Sequence, residues 1–147
     1  MSSHEYKTHG LMIDDLIVAD EKLTDLIKEI AGLYLKNDRA WVIGFSGGKD
    51  STVILSLIYQ ALTTLTKKQL KKKVYVVCSD TLVETPVVVG LVREVLNNVQ
   101  ESANEKGIPL VTQMVVPDTN NTFWSNLLGK GYPAPTSGFR WCTERMK

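Results

Sequence analysis

The sequence is poor in the features that mark secreted, stapled or membrane-embedded proteins. Its 147 residues include two cysteines, Cys78 and Cys142, far apart in the chain, which excludes a disulfide framework. Both histidines, His4 and His9, fall in the polar start "MSSHEYKTHG", read as a tail. Asp14 and Asp15 interrupt the short apolar run "LMIDDLIV", so no signal peptide is visible. No run approaches the ~18 apolar residues of a membrane span. Neither charge dominates: 17 basic against 16 acidic residues give a net charge of +1, so any basic patch must be local. These absences leave the expectation of a cytoplasmic, non-membrane protein with reduced thiols. Its 44% hydrophobic and 22% charged content, over this length, suits one sizeable core.

The apolar pattern alternates between two periods. Residues 20–36 place Leu23, Leu26, Ile27, Ile30 and Tyr34 on a helical stripe, with Asp20 as a cap. "AWVIGF" (40–45) reads as a buried strand. Val53, Ile54, Leu57, Ile58, Ala61 and Leu62 then recur at helical spacing, predicting a helix from about Lys49 to Thr66. The lysine-rich "KKQLKKK" (67–73) reads as a solvated connection to a second strand, "VYVVCS" (74–79). Thr85 and Pro86 signal a helix start. Val87, Val88, Leu91, Val95, Val99 and Ala103 continue that helix to Lys106, where Gly107 and Pro109 stop it. Gly90 inside it is costly unless close packing requires it. "PLVTQMVV" (109–116) is a third strand, and "TFWSNLLGK" a short helix capped by Asn120 or Thr122. The rest is irregular until its last turn.

Strand, helix, strand, helix, strand predicts an α/β fold with an open parallel sheet and flanking helices. We divide the chain into a tail and helix (1–38) and a nucleotide-binding domain (39–147). The abrupt end at "RWCTERMK" predicts that this domain is incomplete and that the sequence is the front part of a longer one.

Between the first strand and its helix lies "FSGGKDS" (45–51). A helix start with free amides is an anion site, and Gly47 and Gly48 let the backbone approach the anion closely. Ser46 and Ser51 add hydroxyls, and Lys49 a point charge. Asp50 beside a phosphate makes sense if Mg²⁺ lies between them. The Walker loop is excluded, because Ile43 stands at its first glycine and Asp50 follows Lys49; the dinucleotide fingerprint is absent too.

"SGGKDS" resembles the pyrophosphate loop (PP-loop) of the N-type ATP pyrophosphatases. These include sulfonucleotide reductases, tRNA thiolation enzymes and GMP synthetase-like amidotransferases, and share an adenine nucleotide alpha hydrolase-like fold. The segments "FSGGKDST", "CSDTLVETP" and "FRWCTERMK" together resemble the DNA-phosphorothioation sulfurtransferases of the DndC family, over about residues 12–147. The resemblance implies ATP and Mg²⁺ bound at Ser46, Gly47, Gly48, Lys49, Asp50 and Ser51, with pyrophosphate released. It further implies replacement of a non-bridging phosphate oxygen of DNA by sulfur from a cysteine desulfurase, in a complex with other phosphorothioation proteins. Lys49, Asp50, Arg140 and Lys147 are then the catalytic candidates, with Asp50 a Mg²⁺ ligand. Asp80 is either an exposed turn residue or a contact to the adenosine or to Mg²⁺. The resemblance also implies an iron–sulfur cluster, expected only with the missing C-terminal part, for which Cys142 is either a ligand or a persulfide carrier. Cys78 reads as a buried structural thiol. Arg140, Arg145 and Lys147 are either solvated cations on a helical end or a cationic face for triphosphate or DNA. Two other functions fit the same loop: a PAPS or APS reductase, and a non-catalytic nucleotide-sensing module of a DNA-modification complex.

Overall fold

The structure, a computed structural model, describes residues 21–142. Asp20, Arg145 and Lys147 lie outside the described residues, as does the tail. Helix α1 (Glu21–Leu35) is followed by strand β1 (Trp41–Gly44), helix α2 (Lys49–Thr63), strand β2 (Val74–Ser79), helix α3 (Pro86–Lys106) and strand β3 (Leu110–Val115). The strands form one open parallel sheet in the order β1-β2-β3, so the α/β reading holds.

Register decides which face is buried. Ile43 pairs with Val76, and Val74 with Leu110, placing these side chains and Cys78 on one face of the pleat. There they join Leu55, Tyr59 and Leu62 of α2 and Val92, Leu96, Val99 and Ala103 of α3 in a single core. Both crossover helices therefore cover the same face. The opposite face carries Val42, 71% exposed, beside half-buried Tyr75 and Val77.

Each crossover helix buries the later half of its expected stripe, Ala61 and Leu62 in α2 and Val99 and Ala103 in α3, but not the first half. In α2, Leu55, Tyr59 and Leu62 face inward, whereas Val53 and Ile54 are exposed, and the helix ends at Thr63. "TVILSLIYQAL" is apolar nearly all round, so contact with the sheet and α1 selects the face. In α3, Val87, Val88 and Leu91 are exposed, and the inner line is Val92, Leu96, Val99 and Ala103. From Val95 onward the expected line does pack on the core, and only its start is exposed. Leu26 of α1 is likewise exposed. Gly107, at φ 68°, ends α3, with the Ile108 amide donating to the Ala103 carbonyl at 2.8 Å. Thr85 stands at the N-cap, but its hydroxyl makes no capping bond. Close packing does not explain Gly90, since a Cβ there would meet nothing within 4 Å.

Helix α1 is tied to the sheet at the strands' amino ends. The Tyr34 hydroxyl donates to the Lys72 carbonyl at 2.6 Å and accepts the Lys72 amide at 3.2 Å. The Lys72 ammonium donates to the Asn37 carbonyl at 3.0 Å and lies 4.6 and 5.0 Å from the ring centres of Tyr34 and Trp41. The solvated-connection reading of 67–73 therefore fails at Lys72, which is 7% exposed. Its long stem is buried and its charge is met by π faces and carbonyl oxygen. Burial lowers the Lys72 pKa, opposed by Asp38; burial raises that of Tyr34, opposed by the Lys72 amide that donates to its oxygen.

After β3 the expected short helix is present over 123–129, with π geometry in Ser125–Gly129, and a 3-10 turn (Thr119–Asn121) precedes it. The Thr122 hydroxyl does accept the Ser125 amide, at 3.1 Å. Buried Asn126 donates to the Asn121 and Thr122 carbonyls, fixing the segment. Trp141 is buried against Phe123, stacked at 5.4 Å, and donates its indole N–H to the Pro133 carbonyl at 2.8 Å.

Two substitutions test this description by urea unfolding. Tyr34→Phe strands a buried amide and carbonyl and should cost about 1–2 kcal/mol. The raised Tyr34 pKa adds stability that is complete below the unfolded value of about 10 and is lost as pH rises through the folded value, so the variant should lack that alkaline loss. Gly90→Ala should stabilise by about 1 kcal/mol, because the new methyl meets open space on a helix. Destabilisation by Gly90→Ala would mean that the position has a packing role.

Candidate functional site

Phe45 is the last residue bound to the sheet, its amide donating to the Val77 carbonyl at 2.9 Å. Its buried ring fixes where the chain leaves β1. Gly47 then takes φ 75°, and a Cβ there would stand 2.6 Å from Val92 Cγ2. Two independent constraints thus require glycine: a left-handed backbone and contact with α3. Gly48 is the N-cap of α2 and has no side chain to cap with, so no side chain occupies the amides of the first turn.

The hydroxyls brace the turn. Ser51 Oγ and Thr52 Oγ1 both donate to the Gly48 carbonyl at 2.9 Å. Ser51 Oγ accepts the Ser46 amide at 3.3 Å and lies 3.2 Å from Ser46 Oγ. Lys49 and Asp50 are exposed and make no hydrogen bond or ion pair among the described residues.

A cavity of about 560 Å³ opens at the carboxyl ends of β1 and β2, a volume suited to a small-molecule ligand. Gly44, Ser46, Ser79, Asp80, Glu84 and Val92 are among its lining residues, and its walls are mostly apolar with a few polar groups. Asp80 is not an exposed turn residue: it is 6% exposed, and its Oδ1 accepts the Leu82 amide at 2.9 Å. That bond holds Leu82 at φ 61°, a left-handed conformation uncommon for leucine. Asp80 Oδ2 lies 4.0 Å from Arg93 Nη2. Cys78 is buried, as expected. Burial pushes its thiol pKa up, and the Asp80 and Glu84 carboxylates push it further.

The structure therefore brings Ser46, Gly47, Gly48, Ser51 and Asp80 to one sheet edge. Of these, Ser46 and Asp80 line the cavity; Gly47, Gly48 and Ser51, like Lys49 and Asp50 on the first turn of α2, stand outside its lining. Exposed Arg140 and half-buried Cys142 belong to a segment whose described residues contribute nothing to that lining. Sequence reasoning missed Val92, Arg93 and the Leu82 turn. The one available signal was a lone arginine within the apolar start of α3.

Among the described residues no three His, Cys, Asp or Glu side chains gather as a metal site. Mg²⁺ brought by a nucleotide needs only one or two carboxylates beside the phosphates; Asp50 is exposed, whereas both Asp80 oxygens face groups of the protein. An iron–sulfur cluster does not fit this chain: it needs about four cysteines, there are two, and Cys78 is in the core.

The fold and site define an α/β protein with a glycine turn and a ligand-sized cavity at the carboxyl edge of a parallel sheet. The chain is similar to an uncharacterized protein of Methanocaldococcus jannaschii, 32% identical over 130 residues, which cover 88% of this chain and 22% of that protein. The matched stretch thus spans about a fifth of the relative's length. No family model matches the chain. No solved structure matches it either.

Gly47→Ala should destabilise by about 1–2 kcal/mol from the left-handed backbone alone, with the Val92 overlap in addition. In a Val92→Ala background only the overlap is relieved, so the two substitutions should couple in a double-mutant cycle. Strict additivity would dismiss the contact. Iodoacetamide should alkylate Cys142 in the native protein well before Cys78, whose thiolate is disfavoured; mass spectrometry of timed samples reads the order, and faster labelling of Cys78 would contradict its burial.

Proposed function

We propose that the chain is the nucleotide-binding part of a PP-loop ATP pyrophosphatase that supports sulfur transfer to DNA. The observation that carries the reading is the side-chain-free start of α2 behind left-handed Gly47, which directly follows Ser46, a residue that lines the cavity together with Asp80. Amides of the Gly47–Ser51 turn and the helix dipole suit phosphate oxygens. Lys49 would extend over the outer phosphates, and Asp50 would meet them through Mg²⁺. The apolar wall formed by Val77, Val88 and Val92 suits a purine, and Asp80 suits a ribose hydroxyl.

In this reading an oxygen of the acceptor phosphate attacks the α-phosphorus of ATP, and pyrophosphate leaves. The outer sulfur of a persulfide then displaces AMP, which carries the oxygen away, and a second thiol attacks the inner sulfur, leaving as a disulfide and freeing the phosphorothioate. Arg140 and Lys147 would serve as cations for DNA or triphosphate, and Cys142 as the sulfur carrier or cluster ligand in a chain with further cysteines. ATP, DNA, a cysteine desulfurase and other phosphorothioation proteins are the proposed partners.

Incubation of the protein with [α-³²P]ATP, Mg²⁺, DNA and a sulfur donor should yield AMP and pyrophosphate. ADP and inorganic phosphate as sole products would overturn the assignment. Asp50→Asn should lower Mg²⁺-dependent turnover at least tenfold, about the loss of one charge-assisted contact. Tight PAPS or APS binding without ATP binding would instead favour a sulfonucleotide reductase, and nucleotide binding without turnover a sensing module.

A further inference from the structure

The cavity has a cation at its margin that the glycine turn does not use. Arg93 follows Val92, the residue against which Gly47 is pressed, so α3 carries it past the turn. Its Nη2 lies 4.0 Å from Asp80 Oδ2, and its side chain is 63% exposed. That is its one polar contact among the described residues, so most of its five N–H donors have no protein partner.

The two members of this pair are held unequally. Asp80 is buried and anchored by the Leu82 amide at 2.9 Å, whereas Arg93 is tethered through one long contact. A half-solvated pair at that distance contributes little, whereas a guanidinium forking onto phosphate oxygens gains two charge-assisted bonds. The arginine therefore has more to gain from an anion in the cavity than it loses at Asp80.

We propose that Arg93 is a positioning residue for the nucleotide's phosphate chain: it leaves Asp80 when the ligand enters and forks onto the phosphates opposite the Gly47–Ser51 turn. The proposal rests on the nucleotide reading of this cavity. The exchange also frees Asp80 Oδ2 to accept a ribose hydroxyl, so one side-chain movement serves both ends of the ligand. Arg93 closes the anion site from the α3 side, where the turn provides no charge.

Calorimetric titration of the purified protein with Mg-ATP and, separately, with adenosine tests this. Wild type should bind Mg-ATP more tightly than adenosine. Arg93→Met should weaken Mg-ATP about tenfold or more, as expected for loss of a charged hydrogen-bonding group, and leave adenosine within about twofold. Arg93→Lys should fall between, because a point charge replaces the fork. Equal loss of both ligands, or unchanged Mg-ATP affinity, would overturn the role of Arg93 while leaving the site intact. A wild type that binds neither ligand would instead remove the nucleotide reading itself, and this proposal with it.

Discussion

Parallel pairing of β2 with both neighbours is the constraint on which the rest depends. Three strands running the same way need long returns, and the chain makes each return with a helix. All three carboxyl ends therefore share one edge, and so do the turns that follow β1 and β2. The glycine turn and the Asp80 turn are far apart in sequence, yet this topology makes them neighbours around one cavity. Nothing in either turn would bring them together without the sheet.

The two ends of the sheet handle polar groups differently. At the amino ends, backbone and ammonium groups are consumed: Tyr34 takes both the amide and the carbonyl of Lys72, and aromatic rings flank the charge. At the carboxyl ends, groups are left available, with Lys49 and Asp50 exposed and Arg93 loosely held. One end is built for cohesion, the other for contact with something else. Asp80 belongs to both descriptions, since one oxygen braces a strained turn and the other faces an exposed cation.

The alternation of elements was legible because strand and helix periods differ and because Gly47, Pro86 and Gly107 punctuate them. The faces of α2 and α3 were legible only in their later turns. Runs such as "TVILSL" and "PVVVGLV" are apolar on every side, so only the sheet decides which side is buried. Ser46, Gly47, Gly48 and Ser51 were readable as a local motif. The burial of Asp80 was not, because it depends on a bond to Leu82 and on strands that neighbour it in space. Lys72 was hidden by its own context: in a run of five lysines, composition cannot say which one finds two aromatic rings.

That lysine has a practical consequence. Lys67, Lys68, Lys71 and Lys73 are exposed, whereas Lys72 lies beneath the rings of Tyr34 and Trp41. Amine-reactive reagents and acetylating enzymes will find four handles in this stretch and miss the fifth. A mark on Lys72 therefore registers a moment when α1 has lifted away, making this side chain a chemical record of local opening in a helix far from the cavity.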